Sequence, residues 1–445
     1  MTIFRGTFLD TPDSPFTGGV LRSGSDLGLL VRDGVITERE DYPVLRGRHR
    51  DEDVVDLSGG LVLPGLVDTH VHYPQLRMIA ALGRPLLDWL ETSALPEEAR
   101  LADLGYAEQV AVEFLDGLVA AGTTTALVFG AHFAPAVDAL FATAADVGLR
   151  ITGGLVVSDR ILRPDLLTSP QQAYDEGLAL ARRWHGVGHN RYAVTPRFSL
   201  SCTEGLLDSC AALLGDVDGA LLTSHVNENP AEVAAVGELF EGCDDYVATY
   251  DRHGLVGGRS VFAHNVHATS AELRRLAAGG SSIAHCPTSN AALGSGLFPL
   301  REHVEHGVRV ALGSDVGAGT GLSLFKEGLQ AYFVQQLLGP HGLPLSPAHL
   351  LHLATGAGAD ALGLADRVGD LSVGKAFDAL WLRPEAGSTL DVCLRHAAGP
   401  DDALAKAFAM AGPADVDSVW VAGRRLASTS RRVVSPLAGS STRSG

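Results

Sequence analysis

From Leu61 to Val316 one pattern recurs: a short apolar, β-branched run, then a segment whose apolar residues fall three and four apart. The runs are 61–72, 123–130, 149–157, 191–199, 220–228, 260–267, 281–289 and 309–316. Segments such as "YAEQVAVEFLDGLVAAG" and "AELRRLAAGG" separate them, the second ending in the glycine pair that stops a helix. Eight strands alternating with helices predict an α/β chain folded as a (β/α)8 TIM-type barrel. A doubly wound open sheet would also alternate, but no G-x-G-x-x-G follows the first run. Short strands broken by Gly, Asp and Pro flank the barrel on both sides. Residues 1–63 and 368–426 are therefore expected to form one small β-sandwich module around a 64–367 barrel, followed by a disordered tail, 427–445.

Composition narrows the partners. The chain has 445 residues, 46% of them hydrophobic, and a formal charge of −18. That balance suits a soluble protein with a small-molecule ligand, and it argues against a nucleic-acid or anionic-membrane surface, which needs basic patches. Five dispersed cysteines without a C-x-x-C pair fit free thiols in a reducing compartment. Asp10 and Asp13 interrupt the N-terminal stretch where a signal peptide would stay apolar, so a cytoplasmic location is expected.

Chemistry gathers where a barrel puts it, at the C-terminal ends of the strands. His70 and His72 end the first run, Arg197 the fourth, His225 and Glu228 the fifth, His264 the sixth, His285 the seventh and Asp315 the eighth. Residues i and i+2 of a strand point the same way, so the two imidazoles of "HVH" can share an ion without being obliged to. Singly, each residue has a plain structural explanation: His264 as a core imidazole, Asp315 as a helix cap, Glu228 as a solvated loop carboxylate. Together, at one end of one barrel, they read as a site. His70, His72, His225 and Asp315 can supply the N/O donors of a catalytic zinc, which keeps one position for water. His264 would orient that water, Asp315 would also hold its proton, and Glu228 would move protons to the substrate. Neither H-E-x-x-H nor P-C-x-x-C is present, which sets aside two other zinc chemistries. The nearest H-x-E, at His303, reads as solvated helix surface.

The motifs "PGLVDTHVH", "SHVNEN", "AHNVH", "AHCPTSN" and "LGSDVGAG" resemble the ordered signature of the amidohydrolase superfamily over about residues 55–425. Within it, "HVHYPQLR", "PLLDWLETSALPEEAR" and "VTPRFSLSC" are similar to segments of the guanine deaminases. The resemblance implies zinc-dependent hydrolysis of guanine to xanthine and ammonia, part of purine catabolism, by water activated at the metal. It implies metal on His70, His72, His225 and Asp315, catalytic roles for Glu228, His264 and Asp315, and substrate contacts from Gln75, Arg197, Phe198, His225, Glu228, Asp315 and His285. Trp89 is read as core packing, with closure of the pocket as its other role. Binuclear members carry a lysine at the end of the fourth strand; here that strand reads "AVTPRFS", so one Zn2+ per chain is expected. Fe2+ and Mn2+ suit the same donors. A homodimer is also implied. The competing readings are a relative acting on another purine, a pterin, an adenosine derivative or a chlorotriazine, and a barrel scaffold without catalysis.

Overall fold

The computed structural model describes residues 1–426, so the expected tail at 427–445 lies outside the described residues. Four strands open the chain: β1 (Thr2–Asp10), β2 (Arg22–Arg32), β3 (Val35–Asp41) and β4 (Asp53–Pro64). The next group is β5 (Leu66–His72), β6 (Thr123–Phe129), β7 (Arg150–Gly154), β8 (Val156–Val157), β9 (Arg191–Pro196), β10 (Leu221–Val226), β11 (Ser260–His264), β12 (Ser282–His285) and β13 (Arg309–Leu312). The last three are β14 (Ala379–Leu382), β15 (Val416–Val421) and β16 (Arg424–Arg425).

Strands β5 to β13 form one parallel sheet in the order β13-β12-β11-β10-β9-β7-β6-β5, with β8 paired to β9. It is the expected (β/α)8 barrel. Its strands are buried along nearly their whole length, which is why they read as continuous apolar runs rather than as an alternation. The segment after β13 closes the ring on β5: Asp315 N–H donates to the His70 carbonyl at 2.8 Å and His72 N–H to the Val316 carbonyl at 2.9 Å. Ser314 adds a 2.5 Å hydrogen bond from its hydroxyl to Asp68. Below the site, Val67, Leu127, Ala193, Leu221, Val261 and Ala311 pack with Ala359 and Leu362, so residues after the barrel helices plug its lower end.

Both chain ends meet in one seven-stranded sheet, β16-β15-β14-β4-β1-β2-β3, the β module expected from the flanks. The run 61–72, read as a single strand, is in fact divided between the two sheets. Leu61–Pro64 pairs with β14, and only from Leu66 does the chain enter the barrel. Gly65 makes the crossing possible, because a Cβ there would lie 2.2 Å from the Thr124 hydroxyl. The two units are also pinned by the buried Arg150–Asp378 pair, at 2.6 and 3.1 Å. His303 departs from expectation too. It is buried, its ring tilted against Phe298 at 4.3 Å, with Nε2 bonded to Asn265 and Nδ1 to the Pro299 carbonyl, because its helix turns that face inward. Among the described residues no helix is long and apolar enough to cross a membrane.

Phe377 is the keystone of the β module. It is fully buried, stacks on Phe4 at 4.0 Å and meets Trp420 at 6.0 Å. Phe377→Ala is expected to cost about 3–5 kcal/mol of stability, visible as a lower midpoint of thermal unfolding with the barrel's metal content unchanged.

Candidate active site

The eight strand ends converge as a barrel requires. His72 Nε2 lies 3.2 Å from His70 Nε2, 3.2 Å from His225 Nε2 and 3.3 Å from Asp315 Oδ1, and His70 Nε2 is 3.2 Å from the same oxygen. These separations suit N/O donors that share one ion, since donors about 2.0–2.1 Å from a common centre sit about 3 Å from one another. The donor set therefore fits one divalent cation bound by nitrogen and oxygen ligands. His264 belongs to a looser grouping with His70, His225 and Asp315, whose donor atoms all lie within 4.8 Å. Its Nε2 stands 3.7 Å from Asp315 Oδ2 and 3.6 Å from Glu228 Oε2, beside the tight set rather than within it.

The electrostatics suit the same purpose. Burial holds His72 down at about 4 and His225 well below the ordinary imidazole range, and it lowers His70, so all three are neutral and offer lone pairs. His225 donates from Nδ1 to the Arg197 carbonyl at 2.6 Å, which turns its Nε2 lone pair toward the cluster. Burial opposes charge on Asp315, but hydrogen bonds with His70 and His72 prevail and hold its carboxyl well below the usual range. Burial, reinforced by the Asp315 charge, pushes Glu228 well above its usual value. One barrel mouth thus pulls two carboxyls in opposite directions, Asp315 down and Glu228 up, the separation acid–base chemistry needs. His264, the last residue of β11, and Asp315, in the turn after β13, both adopt positive φ, 72° and 47°. Such conformations cost energy and gather at functional sites.

A narrow cavity opens on these groups. Its polar wall is His72, Gln75, Arg197, His225, Glu228, His264 and Asp315; its apolar wall is Leu86, Trp89, Leu90, Phe198, Leu293 and Ala318. Trp89, read first as core, lines this wall. The segment that brings it, helix Leu86–Trp89, a π-helical turn Leu90–Ala94 and helix Leu95–Ala99, lies over the barrel mouth. His285 does not reach the cavity. Its ring stacks 4.2 Å from Phe298 with neither nitrogen hydrogen-bonded, and it is absent from the residues that line the cavity, although β12 ends level with its neighbours.

Three buried groups that sequence reasoning passed over support the site. Asn290 accepts from His264 Nδ1 at 2.9 Å and so leaves the Nε2 lone pair facing Glu228. Ser295 hydroxyl donates to Glu228 at 3.4 Å. Glu98 accepts from Gln75 at 2.7 Å and from Arg197 at 2.6 Å. Asn290 ends the quoted motif "AHCPTSN", a signal within reach, whereas nothing distinguished Glu98 from the adjacent Glu97.

Comparison with known proteins agrees with this geometry. The chain is 58% identical over 429 residues to the probable guanine deaminase of Deinococcus radiodurans, covering 95% of this chain and 98% of that protein. It superposes on the Escherichia coli guanine deaminase structure with a TM-score of 0.92 at 35% identity, over 96% of this chain and 99% of that one. A guanine deaminase from C. acetobutylicum with guanine bound in its active site matches with a TM-score of 0.89 at 26% identity, over 96% and 99% of the two chains. The Amidohydrolase family pattern extends over residues 61–426, from the end of β4 through the barrel to the close of the β module. By fold, by site geometry and by this match, the chain belongs to the Amidohydrolase family.

Proposed function

We propose that this protein hydrolyses guanine to xanthine and ammonia. One observation carries the reading: the cavity lined by His72, His225, His264 and Asp315 is lined as well by Gln75, Arg197 and Phe198. An arginine donates to a carbonyl and ring nitrogen, a glutamine amide matches an amide-like edge, and a phenyl ring packs against a flat heterocycle. Guanine presents such an edge, with acceptors at O6 and N7.

His70, His72, His225 and Asp315 would hold the metal, which we assign as a single zinc ion. A bound zinc lowers the pKa of water to about 7 and so supplies a nucleophile at neutral pH. The remaining work falls to side chains. Water adds to C2, the carbon bearing the exocyclic amino group. Glu228 gives its proton to N3 and is reprotonated by one proton of the water. The other passes by way of the Asp315 carboxylate to the departing amino nitrogen, which leaves as ammonia. His264, held by Asn290, orients the water between Asp315 and Glu228. The absence of a lysine at the end of β9 supports one ion rather than two. A cytoplasmic homodimer completes the proposal, its assembly open to sedimentation analysis.

The deciding experiment is ammonia release from guanine by zinc-loaded protein, with xanthine identified as the product; no ammonia would refute the reading. A companion variant separates binding from metal chemistry. Gln75→Ala is expected to raise KM about 10- to 100-fold while zinc content stays at the wild-type level.

A further inference from the structure

Glu98 is a carboxylate with no part in the chemistry above, yet it is 2% exposed and lies directly behind the donors of the cavity. Its Oε1 accepts from Gln75 Nε2 at 2.7 Å and its Oε2 from Arg197 Nη1 at 2.6 Å, with His132 Nε2 3.2 Å from the same oxygen. Burial works against its charge, but Arg197 and His132 hold it well below the usual carboxylate range. On the far side of the Gln75 amide, Oε1 accepts the Gly317 N–H at 2.9 Å.

This arrangement removes an ambiguity that a glutamine ordinarily keeps. The two ends of an amide are nearly equal in shape, so a free Gln75 can show either its carbonyl or its amino group in a given direction. Here an acceptor-only anion faces one end and a backbone donor the other, and only one orientation satisfies both. Arg197 has no acceptor to offer, and Glu98 fixes its Nη1 arm. The same segment that places Leu86, Trp89 and Leu90 on the apolar wall delivers Glu98 behind the polar one.

We infer that Glu98 is a positioning residue for substrate selectivity: by locking Gln75 and Arg197 as hydrogen-bond donors, it makes the cavity favour purines with an oxygen at position 6. The inference rests on the guanine reading and deepens it. A 6-oxo purine has acceptors at both O6 and N7, whereas a purine without that oxygen keeps only N7 on the same edge. A site built to bond an oxygen discriminates strongly against a ligand lacking it, because its own buried donors are then left unpaired. Release Gln75, and that discrimination falls.

The test compares guanine with 2-aminopurine, which keeps the 2-amino group and lacks the 6-oxygen. KM for guanine and the competitive inhibition constant for 2-aminopurine are measured on zinc-loaded wild type, Glu98→Gln, Gln75→Ala and the double variant. Glu98→Gln is expected to raise KM for guanine about 100-fold with kcat within about fivefold, and to move the 2-aminopurine constant by no more than about threefold. Because Glu98 acts through Gln75, the double variant should lose markedly less than the product of the two single losses. Equal weakening of both ligands, or multiplicative effects in the double variant, would overturn the inference. If Glu98→Gln does not fold, Glu98→Asp keeps the charge but is one methylene short of spanning both partners. It should give an intermediate selectivity, and wild-type selectivity would count against the inference. Failure of the wild type itself to deaminate guanine would instead strike the preceding proposal, so the two failures are distinguishable.

Discussion

His72→Ala is expected to strip the protein of its metal, lowering affinity at least about 100-fold and activity at least about 1000-fold. The size of the effect comes from geometry. His72 Nε2 is the hub of the donor set, lying within 3.3 Å of donor atoms on His70, His225 and Asp315. Removing it leaves three donors, one an anionic carboxylate, around a gap that water must fill. Metal analysis of the purified variant, followed by ammonia release with excess zinc, reads both losses. Gln75→Ala, three residues along in the same stretch, keeps its zinc and loses affinity for substrate. Equal metal loss in both variants would show that this division of labour is wrong.

Glu228→Gln gives the second large effect and separates proton transfer from metal binding. The substitution keeps the size of the side chain and its capacity to hydrogen-bond Ser295, but glutamine cannot carry a proton from one atom to another. General acid–base groups typically contribute about 100- to 10,000-fold, and kcat is expected to fall toward the upper end of that range, because Glu228 serves both N3 and the water. Zinc content should remain at one per chain and guanine should still bind, measured by equilibrium dialysis against the inactive variant. A kcat within about tenfold of wild type would remove Glu228 from the proton path.

How far the sequence could be read depended on whether the information was local. A strand's two-residue period put His70 and His72 on one side, and the alternation of runs and helical segments gave the barrel, whose strand ends are where sites lie. Even the division of 61–72 between two sheets was marked by Gly65, although the reason for a glycine there, the nearness of Thr124, is a contact across the sheet. His303 and His285 show the limit. Both sit in readable motifs, yet both are buried against Phe298, and His285 is not among the residues that line the cavity. Glu98 lies further beyond reach. Its partners, Gln75 and Arg197, are distant in the chain on either side, and only folding reveals that this glutamate, rather than Glu97, faces them.

The sequence by itself therefore determined the barrel, the end of it that carries chemistry and the residue types available for a metal and a proton relay. Those features follow from backbone periodicity and side-chain chemistry, which each short segment carries with it. Tertiary structure alone decided the 3.2–3.3 Å approach of His72 to His70, His225 and Asp315, the opposite shifts of the Asp315 and Glu228 carboxyls, and the clamp of Glu98 on the substrate wall. Each of these depends on burial and on partners distant in the chain, and neither exists until the eight strands close.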